Sequence, residues 1–191
     1  MRNLKALRVL FAFLTLSLAF AGFSVNAEPA PEGSRRFEKD GLAFDFADKW
    51  ELSDQSNAAA QQLVLTEKAL DAQIMIVVLR RTLSSGKQEE EAKTALIEPG
   101  INRVLRQYEA TNVKVARSPL EIELAGAPAE GTQLQFEVDG NPGTTEICWG
   151  VVGKRLVQLF FIRPDKTSAE TGVCWSLIRT SLKVDAGKGG R

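Results

Sequence analysis

Two strand-like runs, Thr144 to Val152 and Arg155 to Arg163, meet at Gly153-Lys154, and both of their alternating side-chain sets are apolar. This hairpin constrains the fold more than any other stretch. Pairing across a two-residue loop sets Cys148 opposite Leu159, Trp149 opposite Gln158 and Ile147 opposite Phe160. One face then carries Cys148, Val157, Leu159 and Phe161. The other carries Ile147, Trp149, Val151, Leu156 and Phe160. Such a ribbon can turn neither face to water, so the fold must cover its sheet on both sides. Glycine at the first central position predicts a type II′ turn.

The rest of the chain supplies the sheet and its covers. Leu42 to Phe46 alternates and leads to Trp50, Gln62 to Thr66 is a short strand, and Gln73 to Leu79 is apolar on both sets. Asn57 to Ala60 and Leu70 to Ala72 read as turns. Between Ser84 and Tyr108 the period changes. Ile97, Ile101, Val104, Leu105 and Tyr108 fall at helical spacing behind an acidic start at Glu89-Glu90-Glu91. Pro99-Gly100 removes the bond to the Ala95 carbonyl, which predicts either a kink or two helices. Strands resume at 113–115, 120–124 and 133–138, the last with Gln133, Gln135 and Glu137 on a wet face. Thr167-Ser168-Ala169-Glu170 reads as a capping box, opening a helix whose narrow stripe is Val173, Cys174, Leu177, Ile178 and Ser181. The expectation is α+β: an antiparallel sheet with a helix packed on each face, an α/β/α sandwich.

Arg2, Lys5 and Arg8 precede an apolar run from Val9 to Phe23, and Val25-Asn26-Ala27 suits a signal peptidase. Residues 1–27 therefore read as a signal peptide cleaved before Glu28, with an uncleaved anchor as the alternative. Residues 28–36 read as a flexible Pro-containing spacer, 37–184 as one domain, and 185–191 as a loose tail. The expected location is periplasmic or secreted, with membrane contact only through the leader. Lysine plus arginine and aspartate plus glutamate number 24 each. Losing the leader leaves a mild acidic excess, which offers no footprint for nucleic acid. The pairs Arg35-Arg36 and Arg80-Arg81 read as solvated strand ends.

No histidine occurs in the 191 residues, which excludes Ser-His-Asp and Cys-His catalysis and histidine-ligated zinc. No phosphate-cradling glycine loop or nucleophile elbow is present. Glu121 and Glu123 share one strand face and read as its solvent side. Asp139 to Gly143 holds oxygen ligands that could suit calcium but reads first as a tight turn. No catalytic residue, cofactor or metal is assigned. Trp50 and Trp149 read as core, while Trp175, at the edge of its helix stripe, is the candidate partner contact. Cys148 and Cys174 are expected to form a disulfide, since export permits one and a helix docked on the sheet would bring them together. Closing a loop of about 26 residues would add roughly 3 kcal/mol. The alternative is two buried thiols packed as small hydrophobes.

Gly41-Leu42-Ala43-Phe44-Asp45-Phe46 followed by Trp50, and Leu156 onward through Ile178-Arg179-Thr180-Ser181-Leu182-Lys183-Val184, resemble the opening strand and the closing strand and helix of the PsbP and Mog1 superfamily. Its bacterial members include exported DcrB-like domains. The usual proline before the tryptophan is missing, Ala47-Asp48-Lys49 standing at that bend. The resemblance implies an α/β/α sandwich and a non-enzymatic accessory or binding role in the cell envelope, with an envelope protein or small ligand as partner. It carries over no functional residue. A carboxylate-dependent exported enzyme is the alternative function.

Overall fold

The hairpin forms in the register that its alternation requires: β8 (Asn141–Val152) pairs with β9 (Arg155–Pro164), placing Cys148 opposite Leu159 and Ile147 opposite Phe160. The structure, a computed structural model, describes residues 32–186. The leader, the first four spacer residues and most of the tail lie outside the described residues. The turn itself is type I′ and not type II′, because Gly153 and Lys154 both take positive φ, 56° and 62°. That backbone twist matches the strands on either side.

Around this hairpin runs an antiparallel seven-stranded sheet in the order β3-β4-β5-β9-β8-β7-β6. Its remaining strands are β3 (Glu51–Asp54), β4 (Ala60–Glu67), β5 (Ala72–Leu79), β6 (Val115–Leu124) and β7 (Ala127–Val138). The two runs expected at 113–115 and 120–124 are one strand, β6, continuous through Pro119. Proline is tolerated there because β6 is the sheet's edge. Residues Ser34–Arg36, read as the end of a spacer, are instead the first half of β1 (Ser34–Lys39).

One face of the sheet is covered by a single helix, α1 (Gly86–Ala110), which runs through Pro99 without dividing. The Ala95 carbonyl that Pro99 leaves unpaired lies on the exposed flank, where water can satisfy it. Its cap is Ser85, whose hydroxyl accepts from the Gln88 backbone N–H at 3.3 Å. Ile97 and Ile101 point inward and pack with Ile147, Trp149, Leu156 and Phe160, while Tyr108, also buried, sets its ring 4.6 Å from that of Phe136.

The other face is covered twice over, by the expected helix and by a second sheet. Beside α2 (Ser168–Ser181) lies a second, three-stranded sheet of β1, β2 (Leu42–Ala47) and β10 (Lys183–Val184). Leu42, Phe44, Phe46, Trp50 and Val184 bring this small sheet into one core with Leu63, Ile74, Ile76, Leu159 and Phe161. The expected capping box does not form: the Thr167 hydroxyl donates to the Pro164 and Leu70 carbonyls, and a short 3-10 turn (Asp165–Thr167) leads into α2. The buried stripe of α2 is Thr171, Cys174, Trp175 and Ile178, while Val173 stands exposed. Among the described residues no helix is long and apolar enough to cross a membrane.

Candidate functional site

Glu146 on β8 and Arg163 on β9 point to the α2 side of the sheet, with side chains only 12% and 13% exposed. Arg163 Nη2 donates to Glu146 Oε1 at 3.1 Å. Trp175 Nε1 donates to Glu146 Oε2 at 2.8 Å, so each carboxylate oxygen already accepts a bond. Arg163 Nη1 reaches Asp165 Oδ1 at 3.4 Å, and the Thr144 hydroxyl donates to the same oxygen at 2.7 Å. The Trp175 ring lies 5.1 Å from Phe161, and the Arg179 guanidinium stacks 5.3 Å above it. Arg179 Nη1 in turn donates to the Glu123 carbonyl at 2.9 Å. Charge-assisted bonds of this kind clamp α2 to the sheet.

Trp175 is therefore not a surface contact. It is 4% exposed, and its indole is spent on Glu146. The apolar residue that α2 does present to solvent is Val173. The cysteines also depart from expectation. Both are buried in the same core and both are free thiols. Successive helical residues differ by about 100° around the axis, and Trp175 takes the direction toward β8. Cys174 is turned instead toward β2, where its thiol meets the Ala47 backbone. Cys148 lies in the fields of Arg179 and Glu146. Burial pushes the Cys148 thiol up to about 12 and the Cys174 thiol up to about 11, so neither is a ready nucleophile.

Across the sheet the chemistry is equally structural. The Tyr108 hydroxyl and Thr145 Oγ1 are 2.9 Å apart, and burial pushes the phenol up to about 12. Glu130 accepts from Lys93 at 3.0 Å and from Trp149 Nε1 at 3.3 Å. Its carboxyl is held below the usual range, chiefly by the Lys93 bond. Glu121 and Glu123 are exposed, as their alternation predicts. Asp139-Gly140 is a type I′ turn, with φ of 52° and 76°. The Asn141 amide donates back into that turn, at 3.1 Å to the Asp139 carbonyl. Among the described residues no group of three or more acidic or sulfur ligands could hold a metal. A shallow, open depression on the outer flank of α1 is lined by Pro99, Asn102, Leu105, Arg106 and Glu109.

The residue missed in the sequence is Arg155. It opens β9 on the α2 side, yet it is 3% exposed. Its Nε donates to the Leu79 carbonyl at 2.6 Å and its Nη2 to Gln61 Oε1, both neutral acceptors. Gln61 spends its own amide on the Lys39 carbonyl at 3.0 Å. A basic residue next to a turn reads locally as solvated. Only the small sheet closing over that corner buries it.

No family model matches the chain, and no curated protein sequence matches it. Among solved structures it is similar to the cyanobacterial PsbP protein CyanoP of Synechocystis. The match has 12% identity, covers 85% of this chain and 98% of that one, and has a TM-score of 0.51. A Bacteroides thetaiotaomicron protein matches over 84% of this chain and 51% of its own length, at 13% identity and a TM-score of 0.49. At these identities the first likeness speaks of fold alone, and the fold is PsbP-like, of the α+β class.

Proposed function

We propose that this chain is a non-catalytic accessory or binding domain of the DcrB-like kind, acting after export in the periplasm or outside the cell. The observation that carries this reading is the state of Glu146, the most enclosed carboxylate of the α2 clamp. Both of its oxygens accept bonds, from Arg163 and from Trp175, and its side chain is only 12% exposed, which suits an anchor better than a base open to substrate. The PsbP-like fold supports it as analogy, since function is set by sites and not by folds. The leader at 1–27 supports the location.

Two measurements test the reading. Intact mass of the protein recovered from the envelope or medium is expected to begin at Glu28. A membrane-bound species retaining Met1 would make the leader an anchor. Purified protein is expected to bind an envelope component stoichiometrically without turning over ester, phosphate, glycoside or peptide substrates. Turnover that disappears in Glu146→Gln or Glu130→Gln would establish a carboxylate-dependent enzyme instead.

A further inference from the structure

By its backbone α1 is one helix, but its two halves are attached to the sheet very differently. Residues 101–110 are fixed. Ile101 and Tyr108 are fully buried, the Tyr108 hydroxyl lies 2.9 Å from Thr145 Oγ1, and its ring faces Phe136. The Tyr108 carbonyl then accepts from the Thr111 and Val113 backbone N–H groups, both at 3.0 Å, and the chain turns directly into β6. Residues 86–98 are held by much less. Only Ala92 and Ile97 are fully buried there, and Leu96 is exposed. The ion pairs Lys93–Glu130 and Arg117–Glu98 lie at the surface, where such pairs contribute little. The Ser85 cap reaches only its own helix, at Gln88.

The two halves meet at the weakest point of the helix. Pro99 has no N–H, so the Ala95 carbonyl loses its helical bond. Gly100 follows, with no side chain between its backbone and the sheet. A Cβ built there would stand 3.3 Å from Gln158 Nε2 and 3.8 Å from the Phe160 ring. Gln158 sits on β9 between Trp149 of β8 and Val77 of β5. Its side chain is buried, and its Nε2 is sealed from solvent with no hydrogen-bond partner among the described residues. An amide donor enclosed without an acceptor favours any motion that admits water to it. The closed helix therefore carries a penalty where it is least braced.

We propose that residues 86–98 form a flap, hinged at Pro99-Gly100, that lifts away from Trp149 and Leu156 while residues 101–110 stay docked. Ala92 and Ile97 share one core with Trp149 and Leu156, so these are the contacts that opening gives up. In exchange it hydrates Gln158 Nε2. At the far end Leu83 stays fixed, its N–H donating to the Lys154 carbonyl at 2.7 Å, and the exposed Ser84-Ser85-Gly86 supplies the slack. The open state presents an uncharged apolar floor with one free amide donor on the α1 side of the sheet.

The test is native-state amide exchange on the whole chain, read as protection factors. Amides 90–98 bond to carbonyls 86–94 and report on the flap, while amides 104–110 bond to carbonyls 100–106 and report on the docked half. Protection across 90–98 is expected to be uniform and about tenfold or more below that of 104–110, with a step at Pro99. Pro99→Ala, which joins the halves, is expected to bring the ratio close to one. Gln158→Leu, which removes the enclosed donor, should narrow it by raising protection in 90–98 more than in 104–110. Equal protection of the two halves in the native protein would overturn the proposal, since α1 would then open as one piece. A gradient rising steadily from Ser85 would also overturn it, as simple fraying of the helix end, and so would a ratio unmoved by Pro99→Ala. If Pro99→Ala does not fold, Gln158→Leu decides.

Discussion

The two faces of the large sheet are covered by different means, and the difference shows what holds each in place. On the α2 side, a 14-residue helix and a three-stranded sheet bury a continuous core. The helix is also bonded to its surroundings through Trp175 to Glu146, Arg179 to the Glu123 carbonyl, and the Ser181 hydroxyl, which accepts from Asp45 N at 2.8 Å. On the α1 side, a 25-residue helix fully buries only Ala92, Ile97, Ile101 and Tyr108. Beside it Met75, Val77, Leu79, Val104 and Leu105 stay half-buried, and Leu96 is exposed. Burial per residue is what offsets the entropy of ordering a helix. The α2 layer should therefore open only with the whole domain, and α1 should open first.

The largest expected effect tests how tightly the α2 layer is sealed. Both thiols lie in it, so thiol counting should find two per denatured chain. Labelling of the native protein should be slowed roughly a thousandfold or more, in step with global unfolding. Rapid native labelling of Cys174 would mean that the layer breathes on its own. Next come two adjacent residues on one strand that face opposite layers. Phe161→Ala should cost about 3–5 kcal/mol by urea unfolding, and Phe160→Ala distinctly less, because α1 can settle into the space. Equal costs would dissolve the contrast.

Pro99→Ala sharpens the comparison from the weaker side. It restores the bond to Ala95 on an exposed flank and should stabilise the protein by about 1–3 kcal/mol, slowing exchange of α1 amides. No change would mean that α1 is already fixed by its neighbours. The smallest effect concerns the rim of that layer. The Glu130 carboxyl is depressed by Lys93, so its contribution is present above the ordinary glutamate range and is lost as pH falls through the folded-state value. Glu130→Gln should remove that part of the acid dependence and cost under about 1 kcal/mol at neutral pH. A larger loss would make the Lys93–Glu130–Trp149 chain a true anchor of α1.

Much of the fold was legible because period and turn length are local. The β8–β9 register followed from alternation across a two-residue loop, and the two faces assigned from it match the two cores. The inward side of α1 followed from helical spacing. Short elements were not legible. β3 and β10 are four and two residues long, too short to show a period, and the polar residues around Pro119 hid the continuity of β6. The site was least legible. The phase of α2 differed from the apolar stripe by enough to bury Trp175 and expose Val173, since an indole that can reach Glu146 outweighs a valine in contact with water.

By itself, the sequence determined a doubly covered antiparallel sheet, one helix for each face, and the absence of histidine chemistry, all of which depend on neighbouring residues or on composition. Tertiary structure alone decided that a second sheet shares the cover, that Cys148 and Cys174 are free thiols in one core, and that Arg155 is buried without a carboxylate. Each of these depends on residues far apart in the chain, such as Gln61 with Arg155 or Gly153 with Val184. No local period encodes which distant groups will share a corner.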